Sequence, residues 1–238
     1  MLGKRKVVLL LRISLVITGI VGLVFVFSKP ITNIWIHQGT ESMRINRVNP
    51  LTVKENQRLT QEEASERIHY DYESVQPISP QAVLKAQFQK NDYPIIAEIA
   101  IPSIMVNLPI FLGVSNEALL YGAGTLTPDQ EMGIGNYGLI SHLSYDPNAL
   151  FSPLANIRLG AEIYLTDLSY VYIYQTTEKF QITPEEIWVL EEISERQIVT
   201  LITCTDFGAE GRLVVRGDLI DMIAIEETSQ EILNVFDL

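Results

Sequence analysis

From Tyr93 to the C-terminus the chain is a series of short runs rich in Ile, Val, Leu, Tyr and Thr, punctuated by Pro, Gly, Asp and Asn. That texture limits the fold more than any other feature. β-branched and aromatic side chains fit extended backbone, and runs this short cannot sustain long helices. Strands are predicted at 95–101, 104–111, 137–142, 162–167, 170–176, 198–204 and 212–220, with short helices at 116–121, 147–155 and 228–235. Short strands at this spacing imply an all-β domain, either a barrel or a sandwich. There is no internal repeat, no GxGxxG and no P-loop. Gly133-Ile134-Gly135-Asn136 reads as a turn before a strand, not as a phosphate cradle.

The rest of the chain divides into three. Residues 1–6 carry Lys4, Arg5 and Lys6, and residues 7–27 are apolar apart from Arg12, Ser14 and Thr18. A helix of about 20 apolar residues spans a bilayer core of about 30 Å. The basic triplet places the N-terminus in the cytoplasm and the remainder outside. A cleavable signal peptide is the competing reading, but Phe25-Val26-Phe27 offers no small-residue cleavage site. An uncleaved single-pass anchor is therefore expected. Residues 28–92 form a polar spacer with one predicted helix at about 60–70, where Thr60 and Glu63 fit a capping box. It reads as a partly helical stalk, with a lid over the following domain as the alternative. Residues 93–238 form the β domain.

Charge is uneven. The domain from Tyr93 has net charge −16, against +4 for the residues before it. A surface this acidic excludes nucleic acid and anionic lipid as natural ligands of the domain. Acidic positions fall in two loops, Glu117, Asp129 and Glu131 in one and Glu191, Glu192 and Glu195 in the other. Carboxylates from two loops can bind calcium, and they also make an ordinary solvated face. No cofactor is required on this reading; calcium stays possible.

Cys204 is the only cysteine. A lone cysteine after an apolar run fits a small buried hydrophobe, but an unpaired thiol outside the cell also fits a reactive group. Arg212 opens the next strand eight residues on, so a thiol and a guanidinium end up at adjoining strand ends. Of the three histidines, His37 and His69 lie before the β domain and His142 ends a strand within it. A thiolate, an imidazole to protonate a leaving amine and a guanidinium to hold an oxyanion suffice for acyl transfer. Asp206 is a further acid that could orient the imidazole, though it reads more simply as a turn residue. Metal binding at Cys204 is disfavoured, because no second cysteine or paired histidine accompanies it.

Thr200-Leu201-Ile202-Thr203-Cys204, then Gly211-Arg212-Leu213-Val214-Val215-Arg216-Gly217, and the segment Gly135-Asn136-Tyr137-Gly138-Leu139-Ile140-Ser141-His142 resemble the signature segments of the sortases. The likeness extends over about residues 93–238. The N-terminal anchor and Phe151-Ser152-Pro153-Leu154 are similar to class A, the housekeeping type. Asp146-Pro147 follows the histidine and so does not match the spacer-borne lid motif of the pilus-assembling class. The resemblance implies a closed eight-stranded β-barrel and a cysteine transpeptidase. Such an enzyme cuts an LPXTG-type sorting signal after Thr, holds the protein as a thioacyl-enzyme and passes it to an amine of a cell-wall precursor such as lipid II. Its partners would be secreted proteins with that signal near the C-terminus. It implies Cys204 as nucleophile, His142 as general acid/base and Arg212 as oxyanion stabiliser, with Arg216 the weaker arginine candidate. It places Ser141 and Thr203 along the substrate groove, with Ile187, Val189 and Leu190, from the loop at 183–197, against the Leu-Pro pair. A cysteine peptidase on the same fold and a non-catalytic wall-binding β domain are the alternatives.

Overall fold

The computed structural model describes residues 4–62, 68, 70, 75–88 and 93–238. Eight strands close into a barrel: β1 (Ile95–Ile101), β2 (Val106–Phe111), β3 (Ala123–Thr125), β4 (Asn136–Ile140), β5 (Glu162–Thr166), β6 (Tyr170–Ile182), β7 (Ile198–Cys204) and β8 (Arg212–Ala224). Around the barrel the order is β1-β2-β3-β4-β7-β8-β6-β5. The β2–β3 and β4–β7 pairs are parallel and the others antiparallel.

β7 shows why the chain folds this way. Ile198-Val199-Thr200-Leu201-Ile202-Thr203 is buried without interruption. A strand that is apolar on both faces must be covered on both. Val199 and Leu201 enter the barrel interior with Leu139, Leu213 and Val215. Ile202, one position out of step, joins Ile140, Val214, Ile182 and Val189 in a separate cluster on the outer face. That outer cluster has the connection from β6 to β7 as its roof. Because β8 sits between those two strands, the connection must cross it, and it carries a 3-10 turn at Ile187–Leu190.

Two sequence expectations change in detail. The strands at 170–176 and 212–220 extend to Ile182 and Ala224, and pair with each other along almost their whole length. The helices expected at 116–121 and 147–155 are 3-10 turns, Ala118–Leu120 and Ser152–Asn156.

Described parts of the segment before the barrel dock on it. Helix α1 (Lys4–Ser42) ends against the barrel. Thr32, Ile36, Thr40 and Met43 recur at helical spacing and are all buried. Gly39 lies so close to the Tyr121 ring that a Cβ there would collide with it. Arg44 then forms a buried ion pair with Glu98 of β1 at 2.8 Å, and Glu98 also accepts from the backbone N–H of Ile45 at 2.5 Å. From helix α2 (Pro50–Glu62), Asn56 and Gln57 donate to the carbonyls of Ile95 and Ile96. Helix α3 (Pro80–Gln87) is capped by Ser79, and helix α4 (Gln230–Val235) by Ser229. The capping box expected at Thr60 does not begin a helix, since Thr60 lies in the last turn of α2; His69 and most of the expected 60–70 helix lie outside the described residues. Among the described residues no helix is long and apolar enough to cross a membrane, and many side chains of the 7–27 segment lie outside them.

Candidate active site

Strand register assembles the site. Cys204 is the direct partner of Arg212 across the antiparallel β7–β8 pair. On the other side Ile140 of β4 is level with Ile202 of β7, and the ladder continues with the Ser141 N–H donating to the Ile202 carbonyl at 3.2 Å. His142 and Cys204 are thus each two residues beyond a registered pair on adjacent parallel strands, which lie about 4.8 Å apart. Three neighbouring strands deliver imidazole, thiol and guanidinium to one end of the barrel.

Alternation sorts the remaining residues. Ile140, Ile202 and Val214 face outward with the site. Ser141 and Thr203 take the opposite face: Ser141 donates its hydroxyl to the Gly122 carbonyl at 2.7 Å, and the buried Thr203 hydroxyl has no hydrogen-bond partner among the described residues. Both were expected along the groove; as placed, neither side chain reaches it.

An open, largely apolar cleft on the outer face is lined by Leu126, Ile140, Ile182, Pro184, Glu186, Ile187, Val189, Leu190, Ile202 and Arg212. The three apolar residues expected from the 183–197 loop all line it, and Arg212 stands at the end nearest the thiol. Sequence reasoning missed Leu126, Ile140, Ile182, Pro184, Glu186 and Ile202. Leu126 and Pro184 belong to loops, whose placement no local pattern reveals.

Burial sets the protonation states. His142 is 5 % exposed, its Nε2 has no partner among the described residues, and burial pushes its pKa down to about 4. The Cys204 thiol is pushed up, first by burial and then by Asp206, while Arg212 pulls it down. At neutral pH the resting pair is therefore thiol and neutral imidazole, and the reactive thiolate–imidazolium pair is a minor form. Asp206 does not orient His142. Its carboxylate accepts from the Thr205 hydroxyl at 2.9 Å within its own turn. Arg212 donates from Nη1 to the carbonyls of Ala209 and Gly211, at 2.9 and 3.2 Å. The edge formed by its Nε and Nη2 makes no hydrogen bond to the described residues and is available to an oxyanion.

Two loops leave the site at the strand ends. Tyr145 and Phe207, each three residues past a candidate catalytic residue, stack with ring centroids 4.2 Å apart. The carboxylate of Asp146 meets Nε2 of His37 on α1 at 3.0 Å, so the docked helix braces the histidine loop. Arg216 stands away from the thiol, four residues along β8 opposite Thr200. The acidic calcium candidates are not gathered: among the described residues no group of three or more His, Cys, Asp or Glu could hold a metal ion. Glu117 pairs with Lys85, and Glu192 packs beside Gly135.

A barrel with a strand-end cysteine, histidine and arginine beside an apolar cleft defines a cysteine-dependent acyl-transfer enzyme. The sortase domain family model matches residues 99–220. Sortase A of Streptococcus agalactiae serotype III is 39 % identical over 222 residues, spanning 91 % of this chain and 87 % of that protein. Sortase A of Listeria monocytogenes is 35 % identical over 189 residues, 79 % of this chain and 82 % of that one. The crystal structure of Listeria monocytogenes sortase A superimposes with a TM-score of 0.56 at 36 % identity, covering 60 % of this chain and 96 % of that chain. The chain belongs to the sortase family, cysteine transpeptidases that cleave sorting signals and transfer proteins to the cell wall.

Proposed function

We propose that the chain is a membrane-anchored transpeptidase that cleaves an LPXTG-type signal after Thr and hands the protein to an amine of a lipid-linked wall precursor, lipid II. The observation that carries this reading is the register that sets Cys204 against Arg212, next to His142, at the mouth of an apolar cleft. The Leu-Pro pair rests on Ile187, Val189 and Leu190, which presents the Thr carbonyl to the thiol. The Cys204 thiolate adds to that carbonyl, and Arg212 donates hydrogen bonds to the oxyanion. Protonated His142 gives its proton to the leaving Gly amine, the C–N bond breaks and a thioester remains. An incoming amine then loses its proton to His142, attacks the thioester and expels the thiolate. Support for the anchor comes from the Lys4-Arg5-Lys6 triplet followed by Leu9, Leu11, Leu15 and Val16, all exposed on α1.

The test is incubation of the full chain, in detergent, with an LPXTG peptide and a glycine-based amine. Ligated peptide is expected from the wild type and none from Cys204→Ala. Hydrolysed acid alone, even at high amine concentration, would favour a peptidase. No turnover with either product would remove the proposal.

A further inference from the structure

Arg216 is 3 % exposed, which is unusual for a cation so close to the surface of a barrel. Its Nη2 donates to the Val189 carbonyl at 2.9 Å, and its Nη1 is 3.4 Å from Glu178. The guanidinium lies 5.4 Å from the centroid of Phe180 and 5.3 Å from that of Trp188, whose rings stack on each other. A second donor reaches the same carbonyl from another strand: Asn136 Nδ2 donates to Val189 at 2.9 Å and to the Glu191 carbonyl at 3.0 Å. The amide orientation of Asn136 is fixed in turn, because its Oδ1 accepts from the Thr200 hydroxyl at 2.6 Å. Gly138 leaves the space beside it that Leu190 fills, since a Cβ there would lie 3.2 Å from Leu190 Cδ2.

We propose that Arg216 and Asn136 form a clamp on the Val189 carbonyl that sets the width of the cleft, making them positioning residues for selection of the apolar part of the sorting signal. The two donors come from β8 and β4, the strands on either side of β7, and meet at the 3-10 turn of the connection from β6 to β7. That turn supplies Ile187, Val189 and Leu190 to the cleft, while the far end of the same connection is held separately by Arg196, which pairs with Asp218 of β8 and Glu178 of β6. A planar guanidinium held beside two rings resists rotation as a lysine ammonium does not. Neither residue touches the reacting atoms: Arg216 is four residues from Arg212, and Asn136 six from His142. This inference rests on the reading of the cleft as the site of the Leu-Pro pair.

Two measurements on the full chain test it. The first compares kcat/KM for an LPXTG peptide and the same peptide with Ala in place of Leu. In Arg216→Met and Asn136→Ala the preference for Leu should fall about tenfold, mainly through KM, with partial recovery in Arg216→Lys. Loss of folded enzyme would lower both rates equally and leave the ratio unchanged. The second follows backbone hydrogen exchange of residues 183–197. It should quicken in Arg216→Met while exchange in β7 stays as in the wild type. An unchanged Leu preference in both variants would overturn the selectivity role. Unchanged exchange would overturn the clamp itself. If the wild type turned over neither peptide, the substrate reading would fall, and the exchange measurement would still decide on the clamp.

Discussion

Replacing Arg212 by Met removes the cation that lowers the Cys204 pKa. Cations within about 4–6 Å lower an acid's pKa by about 1–3 units. Cys204 is only partly buried, so solvent screens part of that effect, but the thiol pKa still rises when the cation is removed. The thiolate fraction at neutral pH then drops. The more basic thiolate is also the better nucleophile, and a Brønsted slope of about 0.4–0.5 returns about threefold for each tenfold loss of thiolate. Iodoacetamide should therefore alkylate Arg212→Met more slowly than the wild type at pH 7, by less than the loss of thiolate alone would give. The midpoint of the alkylation–pH curve is the sharper readout, and it should move up. Asp206→Asn should move it the opposite way, by less, because that carboxylate is exposed and sits in its own turn. A midpoint that stays put, or falls, in Arg212→Met would refute the electrostatic pairing. Arg212 would then act on substrate alone.

Two further outcomes follow from burial. Arg44→Ala should leave Glu98 buried and unpaired, at a cost of about 3–5 kcal/mol, measurable by urea denaturation at neutral pH, whereas an exposed pair such as Lys85–Glu117 should cost less than about 1 kcal/mol. His142 is neutral in the fold with a pKa near 4 and takes up a proton near 6.5 once unfolded, so the unfolded chain holds more protons between those values. Stability should fall as pH drops through that window, by about 3 kcal/mol more in the wild type than in His142→Gln, and equal losses would show that the imidazole is not buried as described.

Strand register made much of the site legible in sequence. Cys204 and Arg212 flank a single loop, so the antiparallel pairing that brings them opposite each other is a local event. His142 required a parallel pairing between distant strands, yet its place at the end of an apolar run was enough to mark it. β3 escaped notice because Ala123-Gly124-Thr125 has little side chain to declare a strand; it is held by its neighbours. The resemblance set Ser141 and Thr203 along the groove, and strand alternation instead turns them to the opposite face. They adjoin the candidate catalytic residues in sequence, and a period of two sends adjacent side chains to opposite faces. The resemblance marks Arg216 only as the weaker arginine candidate and Asn136 only as part of the histidine segment; their joint hold on Val189 has no sequence signal, since their common partner is a backbone carbonyl on a loop that crosses from elsewhere. The docking of α1 was written in Thr32, Ile36, Thr40 and Met43, a stripe whose mixed polarity conceals it in a polar spacer.

The central claim is that Cys204 carries the acyl group, and intact-mass measurement of the protein tests it most directly. After brief incubation with an LPXTG peptide and no added amine, the wild type should gain the mass of the peptide through Thr. Proteolytic mapping should put that mass on the segment containing Cys204, and hydroxylamine should remove it. Cleavage of the peptide by Cys204→Ala, or an adduct on any other residue, would contradict the account.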